Sequence, residues 1–381
     1  QKKTTKTFSQ WVDINQGKSY IEASNLSVRE RNMLRKILAT ALAVAVISPI
    51  SAMAGGHLDK ITIIQPSYPS MIFWPSHISA QLGFYEEQGV DPTYLDGDTT
   101  VPYQAFLLNG QADFAMLDGP QVFQGAAAEM GLKTAYSVHS SAPEGVYVND
   151  DSPLQSVTEL KGKTVGLASD RDLASLKVAL AHADSNIDGI STVVVGDAGP
   201  TLANVFLKGT AAAFAGSISD LAALATKGVI VRDITPPSAK VAPANTYAVN
   251  GATMMDNYDK YCRFLRAYSM GVHVGHYNLD IIAAMSKAPD GSPAQWEVES
   301  VGNSYLAAVA KLQLPPEGDT SYGLVAESAW LTVNNDMKMI GAVDADYDTN
   351  DYLTHVFEGC ANNFDRAAVE AAADAWMAKN G

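Results

Sequence analysis

The sequence predicts an α/β protein built as two doubly wound α/β lobes joined by two hinge crossings. Three observations carry this. Short apolar, β-branched runs alternate with helical stretches from Ile61 to Val231, the pattern of parallel strands covered by helices. The alternation pauses over residues 140–145 (Ser-Ser-Ala-Pro-Glu-Gly) and then restarts. Pro236, Pro237 and Pro243 break it a second time, just before an apolar run at 246–249.

Taken in order, Ile61-Thr62-Ile63-Ile64 reads as a strand. Pro75 suits the first turn of a helix that reaches Leu82 and stops at Gly83. Residues 90–95 form the next strand, and a helix ends near Asn109-Gly110. Phe114-Ala115-Met116-Leu117 is a buried strand, with Pro120 opening the helix after it. Residues 133–138 are a strand before the first crossing. In the second lobe, strands are expected at 164–168, 190–195, 211–215 and 229–231. Helices should begin at Ser169, Pro200 and Asp220, the last two stopping at Gly209 and Gly228. Residues 246–249 return the chain to the first lobe. From Asp256 onward the pattern is helical. Ser292-Pro293-Ala294-Gln295 reads as a capping box with Pro at the first helical position. Further helices are expected over 322–338, 351–360 and 366–379. The lobes would therefore be 57–143 with 246–381, and 144–245.

Met33-Leu34-Arg35-Lys36 reads as a positive n-region, 37–50 as an apolar h-region too short to span a bilayer, and Ala52-Met53-Ala54 as a cleavage site. This predicts a signal peptide over 33–54, cleaved after Ala54, and a periplasmic product. Residues 1–32 match no fold pattern and are set aside as upstream sequence. The remaining chain holds 18 Lys+Arg against 38 Asp+Glu, a net −20. Such a charge repels nucleic acid and anionic membrane, so neither is an expected partner. Cys262 and Cys360 are free to pair in an oxidising compartment or to stay as buried thiols. His273 and His276, spaced i, i+3 with no matching carboxylate pattern, read as structural, and no metal or cofactor is expected.

Three segments occur in a telling order. Leu82-Gly83-Phe84-Tyr85-Glu86-Glu87-Gln88-Gly89-Val90 ends a helix and leads into a strand. Asn109-Gly110-Gln111-Ala112-Asp113-Phe114-Ala115-Met116-Leu117-Asp118 ends another and leads into the next. Glu159-Leu160-Lys161-Gly162-Lys163-Thr164-Val165-Gly166-Leu167 enters the second lobe. Together, over roughly residues 57–340, they resemble the NMT1-like periplasmic substrate-binding proteins for nitrate, sulfonate, taurine and thiamine-precursor uptake. The resemblance implies a type II periplasmic binding-protein fold, a monomer, a small-molecule ligand and an ABC permease in the inner membrane as partner. A ligand sensor that presents its closed form to a membrane receptor is the alternative. A thiamine-pyrimidine-synthase-like enzyme is a further one, opposed by the absence of that family's cysteine-rich segment. No G-x-S-x-G, H-E-x-x-H or phosphate-cradling loop is present, and no enzyme activity is expected.

In open α/β sheets ligands bind beyond the carboxyl ends of the strands, and two lobes bring two such edges together across a cleft. Five segments are therefore candidates. The loop after the first strand carries Ser67, Tyr68, Phe73 and Trp74, whose rings suit a planar ligand; packing within the lobe is the alternative for Phe73 and Trp74. Asp118 and Gly119 stand at a helix N-terminus, where Asp118 is either a ligand acceptor or a cap. Ser169 and Arg171 form a turn able to hold a polar group, while Ser169 with Asp172 also reads as a capping pair. In the sulfonate and taurine binders resembled, this turn is small and hydroxyl-rich, so the charges here speak against a simple sulfonate. Ser217 and Ser219 offer a close backbone approach or an ordinary cap. Asn245 and Tyr247 sit at the return crossing. The expectation is that Trp74 or a neighbour stacks on an aromatic, heteroaromatic or anionic ligand from the first lobe, while the 169–171 turn holds its polar end from the second.

Overall fold

The computed structural model describes residues 57–381 except 67, 98–100, 197–199 and 316–319. These residues form one compact unit. The expected leading segment and signal peptide lie outside the described residues, as does Ser67.

Among the described residues, ten strands make two five-stranded sheets. The first contains β1 (Asp59–Gln65), β2 (Val90–Asp96), β3 (Phe114–Leu117), β4 (Leu132–Ser137) and β10 (Thr246–Asn250), in the order β2-β1-β3-β10-β4. The second contains β5 (Glu144–Asn149), β6 (Thr164–Leu167), β7 (Ser191–Val194), β8 (Ala213–Ser217) and β9 (Val231–Asp233), in the order β7-β6-β8-β5-β9. β1 runs parallel to β2 and β3, and β6 parallel to β7 and β8. β10 and β5 are antiparallel to their neighbours. These two are the strands that follow the crossings. A strand entering from the other lobe starts at the edge where the parallel strands end, so it must run the opposite way. The register follows: Glu144 faces Ser217, and Thr246 faces Leu117. First residues of crossing strands therefore share the cleft edge with last residues of parallel ones.

Apolar clusters cover both faces of each sheet. On the first sheet, helix Trp74–Gln81 lies against helix Tyr258–Tyr277. Gly275 makes that approach possible, since a β carbon there would overlap the Trp74 indole. Cys262 and Cys360 form a disulfide that ties this long helix to the turn Glu358–Ala361.

Several sequence expectations shift. The strand expected at 229–231 is Val231–Asp233, because the Val229 N–H still donates to Leu224 O (3.2 Å) in the closing turn of the preceding helix. The strand expected at 211–215 is Ala213–Ser217. The helix expected from Ser169 begins at Asp172, and the one expected from Asp220 begins at Ile218. The capping box at 292–295 does not form. Residues Pro293–Trp296 make a 3-10 turn without a side-chain cap. The Gln295 side chain instead accepts from the Met71 N–H (2.7 Å) and approaches Ser70 Oγ (3.3 Å), serving a different segment. The helix expected at 351–360 splits into Thr349–Tyr352 and Glu358–Ala361. Between them Leu353 bridges to Thr134, and the Thr354 N–H donates to Thr134 O (3.0 Å), so the chain adds an extended edge beside β4. No helix among the described residues is long and apolar enough to cross a membrane.

Candidate functional site: a cavity between the lobes

A cavity of about 130 Å3 lies where the two sheet edges meet. Asp118, Gly119 and Pro120 reach it from the end of β3, and Ser169, Arg171 and Asp172 from the end of β6. The crossings supply Glu144 and Gly145 on one side, and Thr235, Ala242 and Pro243 on the other. Helix Glu327–Met339 closes a wall with Val333, Asp336 and Met337, facing Val178 of helix Asp172–Ala181. Val178, Ala239 and Ala242 share one apolar cluster with Val333 and Met337, so the lobes touch beside the cavity.

Asp118 has two tasks. Its Oδ1 accepts from the Gln121 N–H (2.9 Å), and the Asp118 N–H donates to Gln121 Oε1 (3.1 Å), a complete capping box. Its Oδ2 lies 3.8 Å from Arg171 Nη1 of the other lobe. Burial raises the Asp118 pKa, and the Arg171 guanidinium opposes that rise. Ser169 donates twice to Asp172 Oδ2, from its N–H and its hydroxyl, both at 2.8 Å. This locks the turn that carries Arg171. Burial raises Asp172 as well.

On the far wall Asp336 accepts from His182 Nε2 (2.8 Å), while His182 Nδ1 meets Ser238 Oγ (3.0 Å). This is a second polar link between the lobes. Glu144 completes the set. Burial comes first among the causes that push its carboxyl up to about 8, followed by the nearby Asp172 and Asp118. Among the described residues, Arg171 is the one Lys or Arg on the lining, against the carboxyls of Asp118, Glu144, Asp172 and Asp336.

Of the residues singled out from sequence, the structure brings Asp118, Gly119, Ser169 and Arg171 to this cavity. It places the others elsewhere. Trp74 is wholly buried in the first-lobe core, and Phe73 is buried there too, stacked on His139 (5.4 Å). The run Met71-Ile72-Phe73-Trp74 gains more by covering the sheet than by lining a polar cleft, which corrects the expected stacking role of Trp74. Tyr68 stacks on Tyr94 (4.2 Å) away from the cavity lining. Tyr247 is buried and donates to Gln65 Oε1 (2.8 Å), sealing the end of β1. Asn245 donates to His139 Nδ1 (3.0 Å), one crossing holding the other. Ser217 caps helix Ile218–Thr226 with Asp220 as its capping-box partner, and the Ser219 N–H donates to Ser217 Oγ (3.4 Å). His273 bonds Tyr322 and Glu370, and no group able to hold a metal occurs among the described residues.

Glu144 and Asp336 were missed. Glu144 had a signal: a lone acid between Pro143 and Gly145 at a crossing. Asp336 had none, lying in the polar stretch Asn334-Asn335-Asp336 of a helix.

Comparison with known proteins agrees with this architecture. The chain is 24% identical over 310 residues to the riboflavin-binding protein RibY of Chloroflexus aurantiacus, covering 79% of this chain and 86% of that one. A Bordetella bronchiseptica structure superposes with a TM-score of 0.63 at 17% identity, covering 80% of this chain and 98% of that one. A periplasmic sulfonate-binding protein SsuA of Methylobacillus flagellatus does so with a TM-score of 0.57 at 13% identity, covering 80% and 94%. The shared fold is that of periplasmic binding proteins. The model of the NMT1/THI5-like family matches residues 73–278, more than half of the chain. By that match, this protein belongs to the NMT1/THI5-like family.

Proposed function

We propose that this chain captures a small ring compound for an ABC importer, acting in the periplasm as a monomer beside an inner-membrane permease. One observation carries the reading. Asp118 of one lobe and Arg171 of the other, 3.8 Å apart, line the same inter-lobe cavity. An acceptor on one side and a donor on the other suit a ligand with adjacent donor and acceptor atoms, such as an amide, imide or aminopyrimidine edge. A ligand held by both groups stabilises the closed arrangement by its differential affinity for it. The bodies that move would be 57–143 with 246–381, and 144–245. Cleavage after Ala54 would accompany export.

The balance of charge argues against a sulfonate, which would meet one guanidinium and four carboxyls. The named ligand of the RibY relative, a flavin, has an imide edge of the right kind. Size favours something smaller: a space of 130 Å3 is close to the roughly 150 Å3 cavity that holds one benzene ring. No catalytic role is proposed. A thermal-shift screen tests the reading. Aminopyrimidines and single-ring amides should raise the melting temperature, with about 2.7 kcal/mol of stabilisation at 100 times the dissociation constant. Alkanesulfonates should leave it unchanged. A screen in which only sulfonates stabilise the protein overturns it.

A further inference from the structure

We propose that Glu144 is the specificity-determining residue of the inter-lobe cavity and selects a positively charged ring ligand over a neutral one of the same shape. The inference rests on the solute-capture reading and deepens it. The four carboxyls of the cavity are not equivalent. Asp118 receives the Gln121 N–H and faces Arg171. Asp172 receives both donors of Ser169. Asp336 receives His182. Among the described residues, the Glu144 carboxyl takes no side-chain partner, only a backbone hydrogen bond from its own N–H, and it lines the space a ligand would fill.

Its position makes that consequential. Glu144 is the first residue of β5, at the crossing, where Ser217 of β8 faces it. The titratable groups that face it come from three elements. Asp172 and Arg171 act from the turn after β6, Asp118 from the end of β3, and the Tyr147 phenol lies along its own strand. Asp336, paired with His182, lines the same space from helix Glu327–Met339. Acids outnumber the single guanidinium, which Asp118 already faces. Bringing the lobes together therefore drives the Glu144 carboxylate, already beside Asp172 of its own lobe, out of water and towards Asp118 of the other. Either a proton or a cationic ligand must compensate.

The raised pKa expresses the same conflict. A carboxyl that titrates at about 8 in the closed form and near its ordinary 4.5 when solvated binds a proton more tightly when the lobes are shut. Ligand-free closure is thus favoured below pH 4.5, weakens as pH rises, and is lost above about 8. A cationic ligand removes this dependence by taking the place of the proton. A neutral ligand does not.

Benzamidine and benzamide provide the test, because they share one ring and one shape and differ in charge. At pH 8.5 calorimetry should show benzamidine binding at least tenfold tighter than benzamide to the wild-type protein. In Glu144→Gln the preference should fall to within about threefold, through weaker benzamidine and stronger benzamide binding. Small-angle scattering of ligand-free protein between pH 5 and 9 should show the wild type expanding as pH rises and Glu144→Gln holding one size. Equal binding of the two probes to the wild type, or an unchanged preference in Glu144→Gln, overturns the inference while leaving capture in the cavity standing. If neither probe binds and an alkanesulfonate does, both the inference and the capture reading fall. A pH-dependent expansion that persists in Glu144→Gln also overturns it.

Discussion

Two loops leave the first sheet at neighbouring strand ends, and they meet opposite fates. After β1 the chain carries four consecutive apolar residues, Met71 to Trp74, all buried in the core. After β3 it carries Asp118 and Gly119, which face the cavity while starting a helix. Both loops follow strands that end at the cleft edge. Position after a strand brings a segment near the cleft, but polarity decides which way its side chains turn. An indole gains roughly 2–3 kcal/mol by leaving water. A carboxylate loses heavily unless it finds partners, and Asp118 finds them in the Gln121 N–H and Arg171.

The sharpest break of this comparison exchanges the two roles. Trp74→Ala should cost about 3–5 kcal/mol of folding stability in urea unfolding, through the cavity left beside Gly275. Affinity for a ligand identified by thermal shift should change less than twofold. Arg171→Ala should do the reverse. Its side chain is 40% exposed, so stability should move by less than about 0.5 kcal/mol. Affinity for a neutral ring ligand with an acceptor atom, such as benzamide, should fall about 10- to 100-fold, the worth of a hydrogen bond from a charged donor. Binding of benzamidine, which offers Arg171 no acceptor, should not weaken. If Trp74→Ala folds as well as the parent and loses binding instead, the two loops have been assigned the wrong way round.

The regions also differ in how they treat protons. Around the buried loop sit two neutral histidines. His77 follows Trp74 in the same helix, and His139 stacks on Phe73 and bonds Ile72 O (3.2 Å). Burial lowers both to about 4 from 6.5. Below pH 6.5 the unfolded chain takes up protons that the folded one refuses, so stability falls between pH 6.5 and 4. The loss should reach about 3 kcal/mol for each histidine. The cavity carboxyls, with raised pKa values, act in the opposite sense. Comparing urea unfolding of the wild type and His139→Gln at pH 7 and 4.5 isolates the histidine share. The variant should lose less stability on acidification. Equal losses would mean His139 is not held neutral by its surroundings.

The fold was legible because periodicity and stop signals are local. Gly83 and Gly228 each adopt a positive φ at a helix end, where the sequence placed a stop. The alternation of strand and helix predicts two lobes, and the two breaks predict the crossings. Half of the polar site was legible for the same reason: Asp118, Ser169 and Arg171 follow strands directly. What was illegible depends on distant partners. The Ser292–Gln295 pattern is a sound capping box until Met71, 224 residues away in sequence, offers Gln295 a free N–H. Trp74 reads equally well as ligand platform or core until Gly275 makes room for its ring. Asp336 becomes a cavity residue only because His182 of the other lobe meets it.

The smallest expected effect divides contact from positioning within the turn after β6. Ser169 lines the cavity, yet both its donors point to Asp172 Oδ2 at 2.8 Å. If that is its whole role, the hydroxyl steadies the turn that presents Arg171 and never touches the ligand. Ser169→Ala keeps the backbone N–H bond and removes one hydroxyl bond, so stability should fall by about 0.5–1 kcal/mol. Ligand affinity should stay within about threefold, since Arg171 remains anchored by the surviving bond and by the helix start at Asp172. A hydroxyl that bonds the ligand directly would behave differently. Its removal would cost tenfold or more in affinity and leave the unliganded protein almost as stable as before. Measuring both quantities on one variant therefore places Ser169 either in the frame around the site or in contact with what the site holds.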